Sequence, residues 1–286
     1  MTDRQDEGVE DRDRVLDQDD HMRGMERLEM QVIAVDRPSP LFVRVTGRIA
    51  PADPAAWQGP NVAVRIEVEP SATGRAVSRV YTIRRFDAAQ SLVEIDFALH
   101  PDDSPAMRWL RAAGAGTRVW MTGPRAHFLP NTAGGRPVAI FADDTAIPAV
   151  HAILAADPGL VGDVWVDTAD PAAFAALPEV PGLRCHMLPR PENRSGARPR
   201  LLLEAALALP DAGSRTLWAA GEREEMKAIR AHFAAAGLGR DDIRVLGYWK
   251  QGTSASQIDR LRLEEYRSLR QRGEGLKEFR EDALPI

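Results

Sequence analysis

Arg79-Val80-Tyr81-Thr82-Ile83-Arg84 is the stretch on which the reading of this chain turns. Its alternation predicts a strand, and along a strand Arg79 and Tyr81 share one face. A guanidinium and an aromatic ring on one surface suit a planar ligand that carries phosphate. The ring stacks, and the cation grips the anion through paired N–H donors. The same residues also make an ordinary strand with one solvated Arg and one half-buried Tyr. What separates the two readings is whether further ligand-shaped segments follow in order.

Working outward, Phe42 to Ile49, Val62 to Val68 and Val93 to Leu99 alternate in the same way, with Gly and Pro clusters between them. Many short strands with turn signals from Met30 to about Asn131 predict a β-barrel or sandwich, with one short helix at Ala106 to Ala113. Asn131 to Pro137, rich in Gly, reads as a linker. Beyond it the grammar changes. Short apolar runs at Val138–Phe141, Val164–Val166, Arg184–Met187, Thr216–Ala219 and Ile243–Leu246 predict strands. Between them, helices are predicted at Ala146–Ala156, Leu201–Ala208 and Arg223–Ala236. This βα alternation implies a parallel sheet covered on both faces. The charged stretch from Gln257 to Glu281 favours helix, interrupted by Gly273 and Gly275. The expected organisation is a disordered acidic tail over residues 1–27, a barrel domain over 28–132, an α/β domain over 137–256 and a C-terminal helical extension over 257–286.

The 286 residues carry a formal charge of −5. That gives no electrostatic reason to expect nucleic acid or an anionic membrane. No apolar run is long enough to span a bilayer, and the charged start resembles no signal peptide. Cys185 is the sole cysteine, which excludes an intramolecular disulfide and a four-cysteine metal centre. His21, His100, His127, His151, His186 and His232 show no metal-ligand spacing. A cytoplasmic location follows as the expectation, and any redox centre would be a bound organic cofactor. No Gly-x-Gly-x-x-Gly fingerprint, phosphate-loop lysine or Gly-x-Ser-x-Gly elbow occurs.

Five more segments carry chemistry. In His100-Pro101-Asp102-Asp103-Ser104-Pro105-Ala106-Met107-Arg108-Trp109, Ser104 suits a helix N-cap and Pro105 the first helical position. The free N–H groups of that turn suit an anion. Gly123-Pro124-Arg125 reads by itself as a turn. Ala142-Asp143-Asp144-Thr145-Ala146-Ile147-Pro148-Ala149 follows a strand and opens a helix, with Asp143 or Asp144 as the cap. Trp218-Ala219-Ala220-Gly221-Glu222 and Gly247-Tyr248-Trp249-Lys250 end strands at the edge where parallel sheets bind ligands. For each, capping or packing alone is the competing reading.

In this order the six segments resemble the siderophore-interacting proteins, flavin-dependent ferric-siderophore reductases of the ferredoxin-reductase superfamily. The resemblance spans roughly residues 30–255. It implies a six-stranded antiparallel FAD-binding β-barrel, then a parallel-sheet NAD(P)-binding α/β domain, then a C-terminal helix. It implies that Arg79 meets the FAD pyrophosphate, Tyr81 packs on the isoalloxazine and Thr82 bonds near its reactive edge. His100, Ser104, Ala106 and Trp109 would wrap the phosphates, with Ser104 standing where the family usually has Gly. Thr145 would help position the nicotinamide or its phosphates, with Asp144 beside it; Gly221 and Glu222 would lie near the nicotinamide, and Tyr248 and Trp249 would cover flavin or adenine. Arg65, Arg125 and Lys250 would form a positive pocket for an anionic ferric chelate. Arg190, Arg194 and Arg198 are candidates for an NADP 2′-phosphate. The reaction implied is electron transfer from NAD(P)H through FAD to the Fe(III) of a ferric siderophore, with no acid or base residue. Alternatives are a non-catalytic flavin or siderophore binder, and a flavin reductase served by ferredoxin or acting on another acceptor. A monomer or weak dimer is expected.

Overall fold

Predominant alternation of apolar and polar residues closes the first half of the chain on itself. In the computed structural model, which describes residues 22–70, 76–190 and 199–275, six strands form a closed barrel. They are β1 (Glu26–Ser39), β2 (Phe42–Arg48), β3 (Val62–Glu69), β4 (Val77–Asp87), β5 (Leu92–Ala98) and β6 (Arg118–Ala126), in the spatial order β1-β2-β5-β4-β3-β6. The pairs β1–β6, β3–β4 and β4–β5 are antiparallel. Every second residue points inward, so Met30, Val45, Ile66, Ile95, Phe97 and Met121 are fully buried. Closure removes the exposed edges that an open sheet of this length would present.

Two helices interrupt the barrel. The one-turn α1 (Pro54–Trp57) was not expected; Asp53 caps it by accepting from Ala55 N, and it carries the buried Trp57, whose indole donates to Glu26. The second, α2 (Pro105–Ala112), follows β5 and packs on β3 and β4. β1 begins at Glu26, ahead of the expected start at Met30 and inside the stretch read as tail; residues 1–21 of that tail lie outside the described residues. Gly123-Pro124-Arg125, which locally reads as a turn, lies within β6, where Gly123 pairs with Glu26. Pairing with β1 overrides the local preference.

The α/β unit has five strands: β7 (Val138–Asp143), β8 (Gly162–Thr168), β9 (Leu183–Pro189), β10 (Thr216–Glu222) and β11 (Ile243–Trp249). Their order is β11-β10-β7-β8-β9, and all neighbours are parallel. Its helices are α3 (Ile147–Ala156), the short α4 (Pro171–Ala175) that was not expected, α5 (Leu201–Leu207) and α6 (Arg223–Ala235). Phe141, Leu202, Leu217, Met226, Ile229 and Phe233 make the core between the sheet and α5–α6. From β7 the chain winds outward through β8 and β9, then returns to β10 and β11 on the other side. The reversal places a topological switch point at the C-terminal ends of β7 and β10, where such sheets bind ligands.

The compact units do not follow the chain simply. The described residues up to Asp36, then Arg44–Arg125, then those from Gly252 onward form the barrel unit; Arg37–Val43 and Ala126–Gln251 form the α/β unit. The tip of the β1–β2 hairpin thus belongs to the α/β unit, where Leu41 N–H donates to Asp170 at 2.9 Å. The last helix, α7 (Ala255–Gln271), belongs to the barrel unit. Ser254 and Gln257 form a capping box at its start, and Gly273 at φ +76° follows its end. No helix among the described residues is long and apolar enough to cross a membrane.

Candidate functional site

In the barrel unit, β4 and β5 set the aromatic surface. The Tyr81 and Phe97 ring centroids are 4.1 Å apart, and Phe97 lies 5.4 Å from Trp109 of α2. Three rings in contact make an apolar slab with Tyr81 largely buried but not sealed off. Burial pushes the Tyr81 hydroxyl well above its ordinary pKa, against the opposing pull of Arg79, so it stays protonated. Thr82 is buried beside it on the opposite strand face. The Arg79 guanidinium donates to Ser78 O and to Ser256 Oγ, both at 2.9 Å.

At α2, Ser104 takes the N-cap position and Pro105 opens the helix, but the Ser104 hydroxyl makes no capping bond. The first ladder bond is Arg108 N to Ser104 O. The N–H groups of Ala106 and Met107 therefore stand outside the helical ladder, as donors of the first turn. The approach loop is braced by Arg108 and Arg111, which both contact Asp103, and by Arg108 on Glu69 at 2.7 Å. His100 is exposed, and its backbone N–H points at Met107 Sδ.

Two of the three cations assigned to the chelate lie in this unit. Arg65 on β3 donates through Nη1 to Ser78 Oγ at 3.1 Å and to Asp259 Oδ2 at 3.4 Å. Arg125 is desolvated enough that its pKa falls, and the charge of Arg65 lowers it further. Those two guanidinium groups thus feel each other. Lys250 belongs to the α/β unit, where it meets Glu224 at 3.5 Å; Lys227 shares the same oxygen at 3.1 Å. Beside it is a hollow of about 120 Å³ lined by Arg200, Glu222 and Gln251 among others, too small for a dinucleotide.

At the switch point of the α/β unit, Asp143 ends β7. Its Oδ1 accepts from Thr145 N at 2.9 Å and Thr145 Oγ1 at 2.6 Å, and its Oδ2 accepts from the Trp249 indole at 2.7 Å. Gly221 sits against it; a Cβ there would lie 2.9 Å from Asp143 Cγ. Glu222 caps α6 by accepting from Glu225 N at 2.9 Å, and its other oxygen accepts from Gln251 N. Asp144 accepts from Arg190 at 2.8 Å; burial raises its pKa, and Arg190 opposes the rise. Arg190 also donates to Asp167 at 3.0 Å. It is thus held between two carboxylates; Arg194 and Arg198 lie outside the described residues. Tyr248 and Trp249 are half-buried on β11.

Two features escaped the sequence reading. Asp96, buried on β5, pairs with Arg44 at 2.7 Å and Arg84 at 3.1 Å. Ser256 and Asp259 of α7 contact Arg79 and Arg65. The spacing of buried residues along α7 carried the second signal, but nothing local tied that helix to the barrel.

The barrel unit thus combines an aromatic slab, a guanidinium on the same strand face and free first-turn N–H groups. That donor set matches a planar aromatic group joined to a pyrophosphate.

Comparisons with known proteins agree with this chemistry. A family model described as siderophore-interacting FAD-binding domain matches residues 49–128, and one described as siderophore-interacting protein matches residues 136–252. The chain is 39% identical over 267 residues to the ferric acinetobactin reductase of Acinetobacter baumannii, covering 93% of each chain. Among solved structures, the siderophore-interacting protein from Acinetobacter baumannii matches with a TM-score of 0.82 at 39% identity, over 87% of this chain and 100% of that one. A siderophore utilization protein from T. fusca matches with a TM-score of 0.68 at 29% identity, over 82% of this chain and 96% of that one.

Proposed function

Because the chain belongs to the siderophore-interacting protein family, we propose that it is an FAD-dependent reductase passing electrons from NAD(P)H to the Fe(III) of a ferric siderophore. The observation that carries this reading is the 39% identity, over 93% of both chains, to a ferric acinetobactin reductase. A flavin accepts electrons in pairs from a nicotinamide and passes them singly to Fe(III). Everything else asked of the protein is placement and electrostatics.

The roles follow from the chemistry of the side chains. Tyr81, backed by Phe97 and Trp109, offers the face for the isoalloxazine, and Thr82 stands beside it. Arg79 and the first-turn N–H groups after Ser104, at Ala106 in particular, take the pyrophosphate, with His100 at the loop's rim. Asp144, Thr145, Gly221 and Glu222 shape the nucleotide edge of the sheet, and Tyr248 and Trp249 give it aromatic cover. Arg65 and Arg125 attract the anionic chelate, and Lys250 is assigned the same task. Divalent iron is held less tightly than trivalent iron by oxygen donors, so reduction releases it. No side chain is assigned as general acid or base.

The test is an anaerobic absorbance titration. Purified protein should show flavin bands that bleach with NADH or NADPH and recover on adding ferric siderophore, with Fe(II) appearing in a chromogenic trap. Bleaching by reduced ferredoxin alone would replace the donor. Colourless protein that binds ferric chelate without reducing it would refute the enzyme.

A further inference from the structure

The last helix of the chain turns one face onto the barrel's cations. Ser256, Asp259, Leu263 and Tyr266 are spaced three, four and three residues apart, so they line one side of α7. Ser256, Leu263 and Tyr266 are each 2% exposed. From this face Ser256 accepts from Arg79, Asp259 accepts from Arg65, and Tyr266 lies close enough to Arg125 to bear on its charge.

The contact at Arg65 is specific in its geometry. Ser78 and Asp259 both take the same nitrogen, Nη1. Among the described residues, no hydrogen bond reaches Nη2 or Nε. The guanidinium is therefore pinned at one corner, and its other donors keep a fixed heading. An Arg loses much rotamer freedom when it is ordered, so a side chain already held captures an anion more tightly than a free one. Asp259 is itself steadied by Arg262 at 3.4 Å, one turn along the helix.

We propose that Asp259 is a positioning residue for ferric-chelate capture: it fixes the Arg65 guanidinium by accepting at Nη1, leaving Nη2 and Nε to meet the chelate. The proposal rests on the reading of Arg65 as a substrate cation. A bare counter-ion role predicts the opposite sign, because removing a carboxylate beside Arg65 would make the region more positive and bind an anion more tightly.

Asn keeps an oxygen acceptor but not the charge; Ala keeps neither. The full chain, loaded with FAD, is compared with D259N, D259A, R65A and the R65A/D259A double variant. One readout is the quenching of tryptophan fluorescence by a hexadentate iron(III) tris-catecholate, which needs no turnover. The other is the split between KM and kcat for its reduction. D259A should raise Kd and KM about tenfold while kcat and the flavin spectrum hold. D259N should stay within about twofold of wild type, and D259A should add nothing once Arg65 is gone. The proposal is overturned if D259N is as damaging as D259A, if D259A leaves binding unchanged or tightens it, or if D259A weakens binding equally without Arg65. Should the wild type bind the chelate but fail to reduce it, the reductase reading fails and the Kd series still decides the role of Asp259. A wild type that binds no chelate overturns both.

Discussion

Gly221→Ala is the sharpest probe of the α/β unit's ligand edge. A Cβ at position 221 would lie 2.9 Å from both Cγ and Oδ2 of Asp143, against 3.4 Å or more for an ordinary contact. The carboxylate must therefore retreat by about half an ångström. Its Oδ2 is the acceptor for the Trp249 indole at 2.7 Å, and its Oδ1 holds Thr145 through two bonds. Hydrogen bonds to a charged acceptor contribute about 1.5–3 kcal/mol each. The φ of +157° adds strain for any residue with a Cβ, on the order of 1 kcal/mol. Losing one such bond and adding the strain gives a destabilisation of roughly 3 kcal/mol. Urea unfolding followed by tryptophan fluorescence measures it. Trp249→Phe removes the same bond without touching the backbone, so the double variant should fall short of additivity by about 1 kcal/mol or more. A Gly221→Ala protein within about 0.5 kcal/mol of wild type, or strict additivity with Trp249→Phe, would refute the claim that Asp143 is the shared centre.

Three other outcomes are expected. Asp96→Ala removes the buried carboxylate that Arg44 and Arg84 share; with Asp96 only 6% exposed but Arg44 partly solvated, the cost should be about 3 kcal/mol in chemical denaturation. For Asp163, burial alone would raise the pKa, but hydrogen bonds from Arg184, His186 and Arg215 outweigh it and hold the carboxyl well below the usual range. Its folded pKa is thus below its unfolded one, so its contribution is complete above about pH 4 and is lost as the pH falls below that; Asp163→Asn should flatten the acid limb of a Tm-against-pH curve. Arg79→Ala should raise the Kd for FAD about tenfold or more in a flavin-fluorescence titration, and unchanged affinity would remove Arg79 from the phosphate role.

The strands were legible because alternation is a local signal, and the barrel's inner residues follow directly from it. One-turn helices carry no period, so α1 and α4 were missed, although Asp53-Pro54 and Asp170-Pro171 each place an N-cap before a first-position proline. In Gly123-Pro124-Arg125 local turn chemistry lost to strand pairing. The ligand-bearing segments were found through their order along the chain. Their partners were not: Asp259 is 194 residues from Arg65, and Asp96 is 52 from Arg44. Neither separation leaves a trace in any short window. The hairpin tip at residues 37–43 was hidden for the same reason, since its tie to Asp170 spans 129 residues.

Acidic residues at the ligand edge of a parallel sheet proposed to take a dinucleotide look like an electrostatic error until their bonds are followed. Asp143 is engaged by Thr145 and Trp249, Asp144 by Arg190, and Glu222 by the N-terminus of α6 and by Gln251 N. Each carboxylate has at least one oxygen engaged by a donor of this chain, so the edge is less hostile to phosphate than its sequence suggests. The arrangement also explains why no Gly-x-Gly-x-x-Gly loop is needed to shape the turn after β7. That turn is set by a carboxylate accepting two bonds from the residue two positions on, and Gly221 supplies the close approach from the neighbouring strand. It follows that Asp143→Asn should be milder than Asp143→Ala. Asn can still accept from Thr145 while losing the Trp249 bond, whereas Ala loses the Thr145 and Trp249 bonds together. Equal unfolding midpoints for the two variants would mean that charge, not bonding geometry, is what position 143 supplies.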